Sequence, residues 1–261
     1  MGAGKSGVAS ARFLAERGAV VALYDRQPIE NWSAEARSLK EKFGVGLLDG
    51  QIPSWLLDQI DLVVISPGVP TGTIPARYVE RKDGEVIGEV ELAYRFLKGR
   101  IVGITGSNGK TTTTALTAEM LRSLFGESLH VGGNDREPLL HELPRIQRDH
   151  VVVLELSSFQ LEDLTASPHV AVVLNLTPNH LDVHASFEDY AEAKSQIVRH
   201  QTPADHAVLN WSFTRVRELA QVTQGKVVYV NQVGADDGAY LREGKIVLAH
   251  GGTQEDLMAV T

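Results

Sequence analysis

The chain contains no cysteine, which excludes disulfides and thiolate metal sites and fits a cytoplasmic location. No apolar run approaches the roughly 18 residues of a membrane-spanning helix, and the N-terminus lacks the layout of a signal peptide. Internal repeats and low-complexity tracts are absent too. Positive charge is in short supply. With 25 Lys and Arg against 33 Asp and Glu, the formal net charge is −8, which argues against a general nucleic-acid surface. An anionic substrate would have to be captured by discrete local sites against that field. What is present is a chain of 261 residues, 43% hydrophobic and 22% charged. Those are the proportions of a globular protein with one large or two ordinary domains and a substantial core.

Residues 103–114 read Gly-Ile-Thr-Gly-Ser-Asn-Gly-Lys-Thr-Thr-Thr-Thr. A glycine-rich turn between a strand and a helix lets backbone N–H groups and the helix N-terminus close around phosphate oxygens. Gly106, Ser107, Asn108 and Gly109 supply the cradle, with Thr112 in the first helical turn. Lys110 can reach the outer phosphates, and the Thr111 hydroxyl can hold Mg²⁺. Ile104 stands where the common Walker pattern has its first glycine, so the motif is a narrower variant. The spacing predicts a nucleotide-binding loop between a strand at 101–105 and a helix over roughly 111–124.

A second glycine turn, Gly2-Ala3-Gly4-Lys5-Ser6-Gly7, follows Met1 directly. In a dinucleotide fold such a turn follows a buried strand. That strand is missing, and the chain reads as cut at its N-terminus. A helix over Val8 to Arg17 and a buried strand over Val20 to Tyr24 are expected next, with Asp25 where such folds place a ribose- or base-contacting carboxylate. Gly4, Lys5, Ser6 and Asp25 are thus candidates for a nucleotide-diphosphate site; a purely structural turn is the alternative. A strand at Leu62–Ile65 runs into Ser66-Pro67-Gly68-Val69-Pro70, which is either a ligand-contacting turn or a plain chain reversal.

Gly99-Arg100 marks a boundary, giving a first domain at 1–98 and a second at 99–261. Strands are expected at 151–154, 170–174, 206–210 and 226–230, a helix at 213–223, and a hairpin at 239–249 turning near Glu243-Gly244. Alternation of strands and helices gives an α/β fold. Glu155 closes a buried strand, where it can serve as a second protein ligand to nucleotide-bound Mg²⁺ or simply cap the next segment. His180 lies in a polar turn beyond strand 170–174. The helix at 186–200 opens on Ser186 and Asp189, a capping-box-like pair. Its apolar stripe of Phe187, Tyr190, Ala191, Ile197 and Val198 is interrupted by Lys194. That lysine either snorkels or is a desolvated amine of lowered pKa; a neutral amine can add CO₂ to become a carbamate.

Four stretches together resemble the ATP-dependent Mur ligases of peptidoglycan synthesis. They are Thr105-Gly106-Ser107-Asn108-Gly109-Lys110-Thr111, Gly132-Gly133-Asn134, Glu155-Leu156-Ser157-Ser158-Phe159-Gln160-Leu161-Glu162, and Asn179-His180-Leu181-Asp182 with Lys194. The Leu-Ser-Ser-Phe-Gln-Leu-Glu run resembles the D-glutamate-adding branch. The resemblance implies a Rossmann-like N-terminal domain followed by a phosphate-loop, parallel-sheet ATPase domain. It also implies that the amino-acid-binding domain and the Gly-x-His-Asn segment that helps hold adenine are missing, so the chain is expected to be an inactive fragment. The implied partners are UDP-N-acetylmuramoyl-L-alanine, ATP and D-glutamate, handled by a cytoplasmic monomer without nucleic acid or membrane.

By the same resemblance, Gly4, Lys5, Ser6, Asp25, Ser66 and Gly68 would hold the uridine diphosphate. Asn134, Ser157 and His180 would contact substrate. Thr111 and Glu155 would bind one Mg²⁺, and His180 with carbamylated Lys194 a second; Lys110, His180 and Lys194 would be catalytic. The implied reaction is phosphoryl transfer from ATP to a carboxylate, followed by attack of the D-glutamate amine on the acyl phosphate. The chain departs from the family at Asp135-Arg136 and at Val183. The glycines at 2–7 also admit an NAD-dependent oxidoreductase, though this leaves the loop at 105–111 without a purpose. A non-catalytic nucleotide-binding module, another Mur ligase or a folylpolyglutamate synthase-like ligase are further alternatives.

Overall fold

The computed structural model describes every residue except Gly68, Pro70, Lys82, 134–136, Asp163, 180–183 and Thr261, and the backbone alone at Thr71 and Arg77. The chain divides into two compact units, Met1–Leu97 with Asp135–Ile146, and Lys98–Asn134 with Gln147–Thr261. Among the described residues no helix is long and apolar enough to cross a membrane.

The first unit runs α1 (Lys5–Ala15), β1 (Ala22–Asp25), α2 (Ala34–Phe43), β2 (Gly46–Asp49), α3 (Ser54–Leu57), β3 (Leu62–Ile65), α4 (Ala76–Val79), β4 (Glu85–Gly88) and α5 (Glu89–Phe96). Its strands form two parallel pairs, β1 with β2 and β3 with β4. The first two residues bridge them. Gly2 N–H donates to Tyr24 O at 2.7 Å, Ser66 N–H donates to Met1 O at 2.9 Å, and the Met1 amine donates to Val64 O. The glycine turn therefore departs from the carboxyl end of the strands, where open α/β sheets bind ligands. One core packs Val8, Leu23, Trp32 and Leu39; another packs Leu57, Val63, Ile65 and Tyr78.

Two expected boundaries shift here. The first helix starts at Lys5 rather than Val8, and β1 opens at Ala22 because its partner β2 offers only four residues to pair. Val20, expected inside that strand, is 106% exposed. The segment at 135–146, expected in the second domain, groups with the first unit. A 3₁₀ turn at Leu139–His141 packs on α1 and α5 and buries Leu139 and Leu140.

The second unit contains β5 (Arg100–Thr105), α6 (Lys110–Phe125), β6 (Leu129–Gly133), β7 (Val151–Glu155), α7 (Ser158–Leu161), β8 (Val170–Val173), α8 (Phe187–Arg199), β9 (His206–Asn210), α9 (Thr214–Glu218), β10 (Lys226–Val230), β11 (Gly238–Arg242), β12 (Lys245–His250) and β13 (Thr253–Ala259). They build a nine-stranded sheet in the order β13-β12-β11-β10-β9-β8-β5-β7-β6. Neighbours are parallel from β6 through β11, and β12 and β13 are antiparallel additions. β7 is buried at every position, as its run of valines and leucine requires of a strand covered on both faces. From β5 the chain crosses outward to β6, returns to β7, then passes to β8 on the other flank of β5. Crossovers diverging on either side of β5 open a crevice at its carboxyl end. Ile104, Ala118, Leu129, Val151 and Val153 form the core beneath that crevice.

The expected helix at 213–223 is shorter, with α9 giving way to a 3₁₀ turn at Leu219–Gln221. The hairpin turns at Glu243-Gly244, both with positive φ, and continues into β13, a strand not expected from the sequence.

Candidate functional site

The loop between β5 and α6 is fixed from the side of β8. Ser107 N–H donates to Asn175 O at 3.0 Å. The Ser107 hydroxyl donates to Thr177 O at 2.9 Å and accepts from Thr177 N–H at 2.9 Å and from the Tyr190 hydroxyl at 3.0 Å. Its one proton and both lone pairs are thereby used. Asn108 and Asn175 bond reciprocally: Asn108 N–H reaches Asn175 Oδ1 at 2.9 Å, and Asn175 Nδ2 reaches Asn108 O at 3.0 Å. Gly109 then takes φ +83° and starts α6 with no side-chain cap, a conformation that favours glycine. The first N–H groups of a 16-residue helix are left facing the loop, where the helix dipole attracts an anion.

Lys110 folds back over the loop, its amine donating to Gly106 O at 3.0 Å and Ser107 O at 3.3 Å. Those carbonyl contacts are weak substitutes for an anionic partner. Thr111 Oγ1 donates to Glu155 Oε1 at 3.2 Å, so a hydroxyl from the first turn of α6 and a buried carboxylate from the end of β7 converge. Two hard oxygen donors at this spacing fit Mg²⁺, which completes its shell with phosphate oxygens and water. Thr112 is exposed on the first turn of α6.

Below the loop lies a buried polar cluster. Ser157, expected as a substrate contact, is the N-cap of α7 in a full capping box with Gln160. The next residue, Ser158, meets His184 Nε2 at 2.9 Å, and the His184 ring stacks on Phe159 and meets Tyr190 edge-on. Helix α8, whose first turn is capped by Ser186, brings Tyr190 and Lys194 into this cluster. Lys194 is 1% exposed. Its amine donates to Thr105 Oγ1 at 3.1 Å and sits 5.0 Å from the centre of the Tyr190 ring. Burial, with a smaller push from Lys110, lowers its pKa to about 7. It has no carboxylate partner among the described residues. The snorkelling alternative fails, because the head group and not only the stem is inside. Thr105, Asn175, Tyr190, Ser158 and His184 are the parts of this site that sequence reasoning did not single out. Only the stripe position of Tyr190 hinted at its burial.

The first unit assembles a separate set. Asp25 closes the glycine turn onto β1: its Oδ2 accepts from Ala3 N–H at 2.8 Å and its Oδ1 from Gln27 N–H at 2.9 Å. Gly4 is the uncapped N-terminus of α1, Lys5 pairs with Glu137 at 2.5 Å, and Ser6 O accepts from the Ser10 hydroxyl at 2.8 Å. Gly7 has no alternative residue, since a Cβ there would meet Gly2 O at 1.7 Å. Ser66 starts a turn in which Val69 N–H donates to Ser66 O at 3.1 Å. Gly68, Asn134 and His180, all expected site residues, lie outside the described residues, as do Asp135, Arg136 and Val183.

Residues 104–261 match the Mur ligase middle domain family, and residues 1–88 match the Mur ligase MurD-like, N-terminal domain family. The UDP-N-acetylmuramoylalanine–D-glutamate ligase of Symbiobacterium thermophilum is 39% identical over 261 residues, covering 99% of this chain and 57% of that protein. The enzyme of the same name from Streptococcus mutans is 42% identical over 245 residues, covering 92% and 53% respectively. The chain thus spans little more than half the length of these curated relatives. Among solved structures, the UDP-N-acetylmuramate:L-alanyl-gamma-D-glutamyl-meso-diaminopimelate ligase of Neisseria meningitidis shares the fold. Its TM-score is 0.57 at 18% identity, over 99% of this chain and 86% of that one. A MurF structure from Acinetobacter baumannii gives a TM-score of 0.51 at 17% identity, over 92% and 52%.

Proposed function

The chain belongs to the Mur ligase family, and from that premise we propose that it is the nucleotide-handling part of an ATP-dependent ligase that joins D-glutamate to UDP-N-acetylmuramoyl-L-alanine in peptidoglycan synthesis. In this reading the first unit holds the UDP-sugar and the second holds ATP. The observation that carries it is the phosphate loop: held in shape by Asn175, Thr177 and Tyr190, it brings an uncapped helix N-terminus, Lys110 and the Thr111–Glu155 pair together. In this reading the ligase acts as a monomer in the cytoplasm.

Bound ATP–Mg²⁺ would supply the transferable phosphoryl group and a Lewis-acid centre. The residues of the chain do the rest. Lys110 leaves its carbonyl partners and neutralises charge on the outer phosphates. Thr111 and Glu155 would hold the cation. Asp25, the turn at Gly4, Lys5 and Ser6, Ser66 and Gly68 hold the uridine diphosphate, and Asn134 and Ser157 orient the sugar substrate, whose terminal carboxylate receives the phosphoryl group. The D-glutamate amine then displaces phosphate from that acyl phosphate to form the amide. In its neutral form the Lys194 amine adds CO₂ and loses a proton. The resulting carbamate, with His180, gives a second cation site. This converts a buried amine that would repel a cation into a pair of hard oxygen ligands.

The test is product analysis with a full-length protein carrying this chain, supplied with UDP-N-acetylmuramoyl-L-alanine, ATP–Mg²⁺ and D-glutamate, L-lysine or meso-diaminopimelate. Amide product and ADP with D-glutamate alone are expected. Turnover with another amino acid in preference to D-glutamate, or no ATP-dependent product at all, overturns the reading.

A further inference from the structure

Buried oxygens without hydrogen-bond partners are uncommon in folded proteins, and each carries a desolvation cost. Among the described residues the first unit has three, the Tyr94 hydroxyl and two more at adjacent strand ends. β3 and β4 pair in parallel up to Ile65 and Gly88, and the residues that follow are Ser66 and Glu89. Ser66 Oγ and Glu89 Oε1 are both buried with no partner, and Glu89 is 4% exposed. Ser66 Oγ lies against the glycine turn, since a Cβ on Gly2 would sit 2.9 Å from it and one on Gly7 3.1 Å. Glu89 is also the first residue of α5, whose N-cap, Gly88, makes no side-chain bond. Unused N–H groups of that first turn therefore lie beside the carboxyl.

Among the described residues, the arginine and lysine side chains on the elements around α5 are engaged elsewhere. Arg95 bonds Glu85 at 2.7 Å and Glu91 at 2.9 Å. On α1, Lys5 pairs with Glu137 and Arg12 with Glu16, while Arg17 lies over the Phe13 ring. The Met1 amine donates to Val64 O, and His141 sits on the 3₁₀ turn packed against α5. Among the described residues, Glu89 is thus a carboxyl held ready at a strand end with no cation assigned to it.

Resting on the reading of this unit as a sugar-nucleotide site, we propose that Glu89 is a further ligand-binding residue there: as a neutral acid it donates a hydrogen bond to one pyrophosphate oxygen, while the Ser66 hydroxyl donates to another. An ionised carboxylate in that place would repel the ligand; the acid form adds a donor beside helix N–H groups already suited to an anion. Burial pushes the Glu89 carboxyl up to about 7, so the donating form is populated at neutral pH and anion binding favours it further.

The experiment is calorimetric titration of UDP-N-acetylglucosamine, a pyrophosphate diester, into the 261-residue chain, together with melting temperatures measured without ligand. Glu89→Gln keeps a donor and should bind within about twofold of wild type. Glu89→Leu and Ser66→Ala each remove a donor to a charged group and should weaken binding by about tenfold or more. Because Glu89→Leu replaces an unpartnered buried carboxyl with an apolar side chain, its ligand-free melting temperature should equal or exceed that of wild type. Wild-type affinity in Glu89→Leu overturns the proposal. So does a Glu89→Gln variant as weak as Glu89→Leu, or a loss of binding in Glu89→Leu accompanied by a lower melting temperature, which would mark a structural carboxyl. Failure of the wild-type chain itself to bind at millimolar ligand would instead overturn the sugar-nucleotide reading of the unit.

Discussion

Replacing Lys194 with methionine should make the protein more stable below about pH 7, not less. The amine is 1% exposed, and burial lowers its pKa from 10.5 to about 7. Below the lower value both the folded and the unfolded chain carry the proton. The folded state then bears the full cost of a buried ammonium, on the order of 5 kcal/mol at about 1.36 kcal/mol per pH unit. Between about 7 and 10.5 only the unfolded chain holds the proton, so stability rises with pH across that window and levels off above it. That figure is already net of the contacts the ammonium keeps, to the Tyr190 ring and to Thr105. Thr105 keeps its own bond to Leu156 O at 2.7 Å when the lysine is gone, so no new orphan is created. Methionine fills a similar volume, so the variant should gain a few kcal/mol at the lower pH. Urea unfolding in CO₂-free buffer with chelator, at about pH 6 and about pH 9, reads this directly. Wild type should gain more stability between the two conditions than Lys194→Met does, since other groups such as Glu89 and the Met1 amine titrate alike in both. A methionine variant less stable than wild type at the lower pH, or the same pH dependence in the two proteins, would refute the desolvation account of this lysine.

Other consequences can be measured as well. In a full-length protein, Lys194→Ala should be nearly inactive and partly rescued by added short-chain carboxylates, whereas Lys194→Arg should not recover activity; good activity in the arginine variant would exclude a carbamate. Glu155→Gln should leave the fold intact but remove most of the Mg²⁺ dependence of ATP binding, because one of the two hard oxygen ligands loses its charge; titrations with and without Mg²⁺ check this. Gly7→Ala should destabilise the chain by about 3 kcal/mol, since the added Cβ meets Gly2 O at 1.7 Å; a melting temperature equal to wild type would contradict the described turn.

Much of the second unit could be read from the chain. The phosphate loop is a local motif whose glycines, lysine and threonine are adjacent, and the strands at 206–210 and 226–230 coincide with β9 and β10. Lys194 stood out because one cation broke an apolar stripe, and the structure buries it. The supports of the loop were hidden for the opposite reason. Tyr190 lies 83 residues from Ser107 and Asn175 lies 67 from Asn108, so no spacing rule links them. Glu89 and Glu91 are both buried, and nothing in the charged Glu-Val-Glu stretch marks either of them for burial. β13 is exposed at all seven positions and its polar Thr-Gln-Glu-Asp start carries no period-two signal; it forms by pairing with β12. The excursion at 135–146 was missed because a boundary drawn along the sequence cannot express a segment that leaves one unit to pack in the other.

The central claim is that the loop at 106–112 grips ATP–Mg²⁺, and calorimetric titration of that ligand into the wild-type chain and Lys110→Ala tests it most directly. Lys110 spends its charge on two loop carbonyls in the absence of phosphate, so removing it should leave melting nearly unchanged while weakening binding by about tenfold or more. Saturable wild-type binding that depends on Mg²⁺ and is lost in the variant is the predicted result. Absence of saturable binding by the wild-type chain, or equal affinity in Lys110→Ala, would contradict it.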